Sequence, residues 1–239
     1  MKTISKLLPF CLLILMSISC KQNDPAPEVL QILSLTDKVG NYGYAELAQE
    51  SSKWGLLPPL EKSPFEDADG SLHKASLQPV PNVMILWGTG AGNSSRNITI
   101  PSRQYVFLPL IAYTNWYYTN DKCNPTYQPA AGQTAEAFLL GGAKEFIDVI
   151  KNMTAKLDGV EIVPDLTKYR AKTKLFTMLI GKGFDDPNCD YSKQNASVAV
   201  DGYYLLLKIP KGKHTLTYNA IVPSDPTPHP ADTWNLTVE

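Results

Sequence analysis

The sequence predicts a mainly β fold: an antiparallel β-sandwich, immunoglobulin-like or jelly-roll-like, with one N-terminal helix and one crossing helix. Three observations carry this expectation. From residue 83 onward the chain divides into short runs rich in aliphatic, β-branched and aromatic residues. Turn formers separate those runs, and only two stretches, 41–54 and 134–153, place apolar residues at helical spacing. No fixed-period repeat is visible, which excludes a propeller or a solenoid.

In chain order, residues 1–19 read as an export signal. Lys2 and Lys6 precede an apolar run over 7–16 that is too short to span a bilayer, and Ser17-Ile18-Ser19 lead into Cys20. That ending resembles a lipobox, with Ser17 where leucine is usual. The resemblance implies cleavage before Cys20, a diacylglycerol on its thiol and an acylated amine. Residues 20–30 are then the lipidated cysteine and a polar, proline-bearing tether, and 31–239 a single sandwich domain. The expected location is the bacterial cell envelope, with the lipid in the outer membrane. Lys21-Gln22-Asn23-Asp24 resembles the short polar tags of surface-exported lipoproteins, which implies surface exposure.

The first helix is expected over 41–54, where Tyr44, Leu47, Ala48 and Trp54 share a face, and Pro58-Pro59 ends it. Residues 58–82 read as an irregular crossing. Strands follow at VMILW (83–87), RNITI (96–100) and QYVFLPL (104–110), with a glycine-rich hairpin loop over 88–95 between the first two. The second helix is expected over 134–153 on a stripe of Phe146, Ile147, Val149, Ile150 and Met153, with Gly141-Gly142 breaking or beginning it. Asp158-Gly159 between MTAKL and VEIV is a hairpin signal. KLFTMLI, GYYLLLKI, KHTLTYNAIV and WNLTV complete the strands. Trp54, Trp87 and Trp234 fall at core positions of these elements.

Charge and cysteines narrow the function classes. The chain has 22 basic and 23 acidic residues, and two of the lysines lie in the signal, so the remainder is weakly acidic and unsuited to nucleic acid. Of the cysteines, Cys11 leaves with the signal and Cys20 carries lipid. Cys123 and Cys189 remain, and in an oxidising compartment they form the expected disulfide, closing a loop that contributes about 4 kcal/mol.

Several separated segments resemble a family of uncharacterised secreted bacterial proteins: Tyr44-Ala45-Glu46 leading to Lys53-Trp54, the strand from Val83 to Gly88, Arg96-Asn97-Ile98-Thr99-Ile100-Pro101 and Tyr105-Val106-Phe107-Leu108-Pro109-Leu110. The likeness continues through Leu157-Asp158-Gly159-Val160, Tyr169-Arg170, Asp201-Gly202-Tyr203-Tyr204 and Gly212-Lys213-His214-Thr215-Leu216. Ile98 stands where such proteins often have a cysteine. The family brings no established activity, so the resemblance implies a fold rather than a chemistry.

The usual catalytic signatures are missing. There is no Gly-x-Ser-x-Gly, His-Glu-x-x-His or Cys-x-x-Cys, and Gly88-x-Gly90-x-Gly92 lacks the spacing and following residues of a phosphate loop. His73, His214 and His229 have no second ligand at metal spacing, and Asp67-x-Asp69-Gly70 reads as a turn. The strongest candidate is the pair of segments that the disulfide would join. Trp116, Tyr117, Tyr118, Asn120 and Asp121 form an aromatic-dense candidate ligand surface near Cys123, and Asp185, Asp186 and Asp190 a candidate metal set near Cys189. Aromatic faces stack on sugars and clustered carboxylates hold Ca²⁺. The expected function is therefore a non-enzymatic, envelope-tethered module binding a glycan or another envelope protein, with Ca²⁺ as the one cofactor considered. The alternatives are a glycan hydrolase using paired carboxylates from Asp121, Asp185, Asp186 and Asp190, or an envelope assembly scaffold.

Overall fold

The computed structural model describes residues 29–89, 94–223 and 232–239. The expected signal, Cys20, the tether up to residue 28, Gly90 and Gly92 of the glycine loop, and His229 lie outside the described residues. The described chain is mostly β, with two sheets and two α-helices. Its elements are β1 (Gln31–Ile32), α1 (Tyr44–Leu56), β2 (Val83–Ile85), β3 (Ser95–Ile100), β4 (Tyr105–Tyr117), α2 (Ala135–Asp148), β5 (Lys151–Leu157), β6 (Val160–Glu161), β7 (Arg170–Lys172), β8 (Phe176–Met178), β9 (Ala196–Lys208), β10 (Gly212–Ile221) and β11 (Asp232–Val238). No helix among the described residues is long and apolar enough to cross a membrane.

The first sheet is built on the long antiparallel pair β4 and β9. β2 lies beyond β4, while β1, β7 and β8 pair in succession with the far edge of β9. The second sheet runs β3-β11-β10-β5-β6. Each sheet carries one parallel pair, β2 with β4 and β3 with β11, which corrects the expectation of wholly antiparallel pairing. The reason is the path of the chain. β2 lies in the first sheet, β3 in the second and β4 in the first again, so the glycine-rich segment after β2 joins two sheets rather than forming a hairpin.

A shared core joins the sheets, with Leu108, Leu205 and Leu207 of the first against Leu216, Trp234 and Leu236 of the second. The opposite face of the first sheet is also covered: Phe107, Tyr204 and Leu206 pack under Tyr44, Leu47 and Ala48 of α1. Double coverage explains the uninterrupted apolar run in β9, which does not alternate as a one-sided strand would. Each of these large side chains contributes about 1.5–3 kcal/mol by leaving water. α1 is held at its start by Glu46, whose carboxylate accepts the Gly43 N–H at 2.9 Å. Tyr44 ties the helix to the sheet, its hydroxyl donating to Leu33 O and accepting from Leu206 N.

α2 runs through Gly141 and Gly142 instead of breaking there. A Cβ on Gly142 would stand 2.7 Å from the Asn115 amide nitrogen, so glycine permits the helix to lie close against β4. The helix stops at Asp148, short of the expected 153, because the next residues alternate at period two and pair with β10 as β5. Asp158 and Gly159, both at positive φ, make the tight turn from β5 to β6.

Candidate functional site

The two cysteine segments do meet. Cys123 and Cys189 stand at disulfide distance, S–S 2.14 Å and Cα–Cα 6.3 Å. Around them, however, the aromatic and acidic groups turn toward each other. Trp116 Nε1 donates to Asp185 Oδ1 at 2.9 Å and Tyr118 Oη to Asp185 Oδ2 at 2.5 Å. Tyr191 donates to both oxygens of Asp121, and its ring stacks on Tyr118 with centroids 3.9 Å apart. Burial and the Asp185 carboxylate push the Tyr118 hydroxyl pKa far above its ordinary value, so it stays a donor. Tyr117 faces the other way, edge-on to Phe138 of α2. Asn120 is exposed at positive φ, closing the turn after β4. Asp186 and Asp190 accept from the backbone N–H groups of Asn188 and Ser192, their own turns.

The region expected to be an aromatic loop is thus partly strand, since β4 continues to Tyr117, and partly a structural cap. Trp116, Tyr117 and Tyr118 do not form one stacking platform. Nor do the acids converge: among the described residues no group of three or more His, Cys, Asp or Glu side chains is arranged to hold a metal ion. The candidate Ca²⁺ set Asp185, Asp186 and Asp190 is corrected accordingly, because each carboxylate already serves a separate local hydrogen-bond pattern.

A different site opens along β4. Tyr105 N donates to Asn82 O and Leu86 N to Phe107 O, so residues 105 and 107 face β2 and residue 109 is the next in line. Residue 109 is proline, with no N–H to continue the ladder. A bulge between Pro109 and Ile111 then shifts the register against β9. The chain after β2, through Leu86, Trp87 and Gly88, parts from β4 there.

The result is a cleft of about 710 Å³ at the open edge of the first sheet. Its walls are mainly apolar: Leu60, Phe65, Phe184 and Trp116 on the α1 side, Ile111 and Phe146 on the other. At its inner end Tyr218 and Asp232, register partners on β10 and β11, stand beside Gly88. A Cβ on Gly88 would lie 2.3 Å from Asp232 Oδ2 and 2.6 Å from Tyr218 Oη, so only glycine leaves room for both groups.

Asp232 is held from behind. Its Oδ1 accepts from Ser94 N at 3.3 Å, from the Ser94 hydroxyl and from Arg96 Nη2 at 3.2 Å, while Oδ2 takes no hydrogen bond from the described residues. Arg96 is fully buried, also donates to Trp87 O at 2.5 Å, and lies 4.1 Å from the Trp234 ring. Tyr218 Oη is buried beside the Trp234 indole N–H, a contact short of good hydrogen-bond geometry, and neither atom has a better partner among the described residues. Burial, reinforced by the Asp232 charge, raises the Tyr218 pKa far above its ordinary value, so the phenol remains protonated.

Behind this cluster, His73 is fully buried between the rings of Trp54 and Trp234. Its Nδ1 lies 2.6 Å from Asp67 Oδ2, and Asp67 also accepts from Gly70 N and Leu72 N. The Asp67 turn expected from sequence is present, but it serves to seat a core histidine.

No family model, curated protein or solved structure matches this chain. The site reading therefore stands on geometry. Arg96 and Asp232 were not singled out from the sequence, although period two places Arg96 on the inward side with Ile98 and Ile100, and Asp232 with Trp234 and Leu236. A charge at an inward position of two strands was the available signal.

Proposed function

We propose that this chain is a non-enzymatic ligand-binding protein, tethered to a bacterial envelope through lipid on Cys20, and that its ligand enters the cleft beside β4. The single observation that carries the reading is the cleft itself, about 710 Å³ with mainly apolar walls and with Asp232 at its inner end. Apolar walls with a few convergent polar groups are the general form of a ligand site. The ligand is mainly apolar, with a donor group at the Asp232 end of the cleft.

This reading moves the ligand away from the cysteine loops, where Trp116 and Tyr118 are engaged by Asp185 and the rings stack on each other. In this proposal the two sheets with their common core serve as a sandwich scaffold, to which the two parallel pairs and the helix layer are added. The test is titration of the full chain, carrying Cys20→Ser to remove the lipid, with the neutral apolar dye Nile red. Saturable binding is expected, weakened at least about tenfold by Ala112→Trp, which fills the cleft, and by Leu60→Glu at its rim. Binding unchanged in both variants, with melting temperatures preserved, would overturn the reading.

A further inference from the structure

The cleft borders a sheet edge, and the direction of the peptide groups along that edge narrows what can occupy it. Val200 O accepts from Thr173 N, and Leu206 O from Leu33 N, so even-numbered residues of β9 turn their peptide groups away from β4. Their register partners after the bulge, Ala112 opposite Gly202, Thr114 opposite Val200 and Trp116 opposite Val198, turn theirs outward. Among the described residues no strand pairs with β4 on that side beyond Phe107. Ala112, Thr114 and Trp116 are each half-buried, so the edge is reachable.

The walls of the cleft lie on both faces of this edge. Trp116 belongs to the α1-side cluster, whereas Phe146 of α2 lies tilted against Tyr113 on the opposite face. A compact ligand would occupy one face. A strand added to an edge instead projects alternate side chains to both faces while its backbone pairs with the open N–H and C=O groups.

Charge selects the partner further. Among the described residues the cleft lining contains two carboxylates, Glu66 at the exposed rim and Asp232, whose Oδ2 takes no hydrogen bond from them, and no Lys, Arg or His. We infer that the cleft binds an extended peptide segment that adds as a strand to β4 at Ala112–Trp116, with alternating apolar side chains and one basic side chain directed to Asp232 or Glu66. This rests on the reading of the cleft as the ligand site and names the class of ligand.

The probe is a fluorescein-labelled seven-residue peptide alternating valine and threonine around one central lysine, followed by anisotropy with the full-length Cys20→Ser chain. Two further forms carry N-methyl groups on alternate residues, one form for each edge of the extended peptide. Strand addition uses one edge, so one methylated form should bind at least about tenfold more weakly and the other within about twofold of the parent. Lysine to glutamate in the peptide should also weaken binding about tenfold, and Glu66→Gln in the protein should weaken it less. Equal binding of both methylated forms would overturn strand addition. Nile red binding with no peptide binding would overturn the peptide but leave the cleft as an apolar ligand site, and failure of both probes would overturn the cleft itself. A concentration-dependent dimer that excludes the peptide would make a second copy the occupant and overturn the proposal.

Discussion

Tyr218 and Asp232 face each other across β10 and β11 with Gly88 pressed against both, and among the described residues the buried hydroxyl has only a poorly aligned contact with the Trp234 indole N–H. Tyr218→Phe removes this weak contact together with the desolvated hydroxyl, so stability should change by no more than about 1 kcal/mol, within roughly 2–4 °C in melting temperature. Calorimetry on both forms checks this, and a larger fall would show that the hydroxyl makes a full hydrogen bond. His73 makes a second prediction. Burial, the largest influence, lowers its pKa from 6.5, and Arg96 acts in the same direction against the favourable Asp67 contacts. The folded form thus resists protonation. Above about pH 6.5 both states are neutral, and as pH falls below it the unfolded chain takes the proton first, so stability declines by up to about 1.4 kcal/mol per pH unit. For Asp67, burial pushes upward most, yet the hydrogen bonds from His73 and from the Leu72 N–H together leave the carboxyl well below its usual range. A further loss therefore sets in below about pH 4 as the unfolded chain's carboxyl protonates first. Urea unfolding across pH should show both falls, and His73→Asn should flatten the first. The chemistry at this scale was partly legible: inward parity marks Arg96 and Asp232 as buried charges, but no local signal says that Asp67, six residues away, will turn to meet His73.

At the scale of elements, β9 organises the molecule. Three short strands line one of its edges, β4 lines the other, and Arg170 on β7 locks the assembly by donating to both oxygens of fully buried Asp201 and to Asp148 at the end of α2. The Asp201 pairing, the strongest influence, holds the Arg170 pKa above its ordinary value. Arg170→Met should cost about 3–5 kcal/mol, because it strands a buried carboxylate with Lys172 at 3.6 Å as the remaining cation. Denaturant midpoints would read this, and a loss below about 1 kcal/mol would show that Asp201 finds water or another donor. The longer elements were legible in the sequence because their periods are clear: the α1 stripe through Tyr44, Leu47 and Ala48, and the Asp158-Gly159 turn, appear as expected. β8 falls inside the expected KLFTMLI run, whereas β7 was missed, since its three residues carry too little pattern and form a strand by pairing with β9. The second helix was read too long because Val149, Ile150 and Met153 satisfy helical spacing and a strand alike until β10 is there to pair with β5.

At the scale of the whole molecule, two features compete for function. The cysteine end is closed on itself, with Asp185 taking Trp116 and Tyr118, and Asp121 taking Tyr191. The β4 edge is open, because Pro109 ends one ladder and the bulge after it turns a row of peptide groups toward the cleft. Sequence alone favours the first, since aromatic and acidic residues cluster visibly around the cysteines, whereas the cleft assembles residues from Leu56 to Asp232 that only the fold brings together. Pro109 inside an apolar run was the local sign of an edge. The most direct test is photolabelling of the Cys20→Ser chain with a neutral alkyl diazirine, followed by peptide mapping. The account predicts adducts concentrated on the segments bearing Leu60, Ala112 and Phe184, and reduced in Ala112→Trp. Adducts on the loops around Cys123 and Cys189 instead, or labelling that Ala112→Trp leaves unchanged, would contradict it.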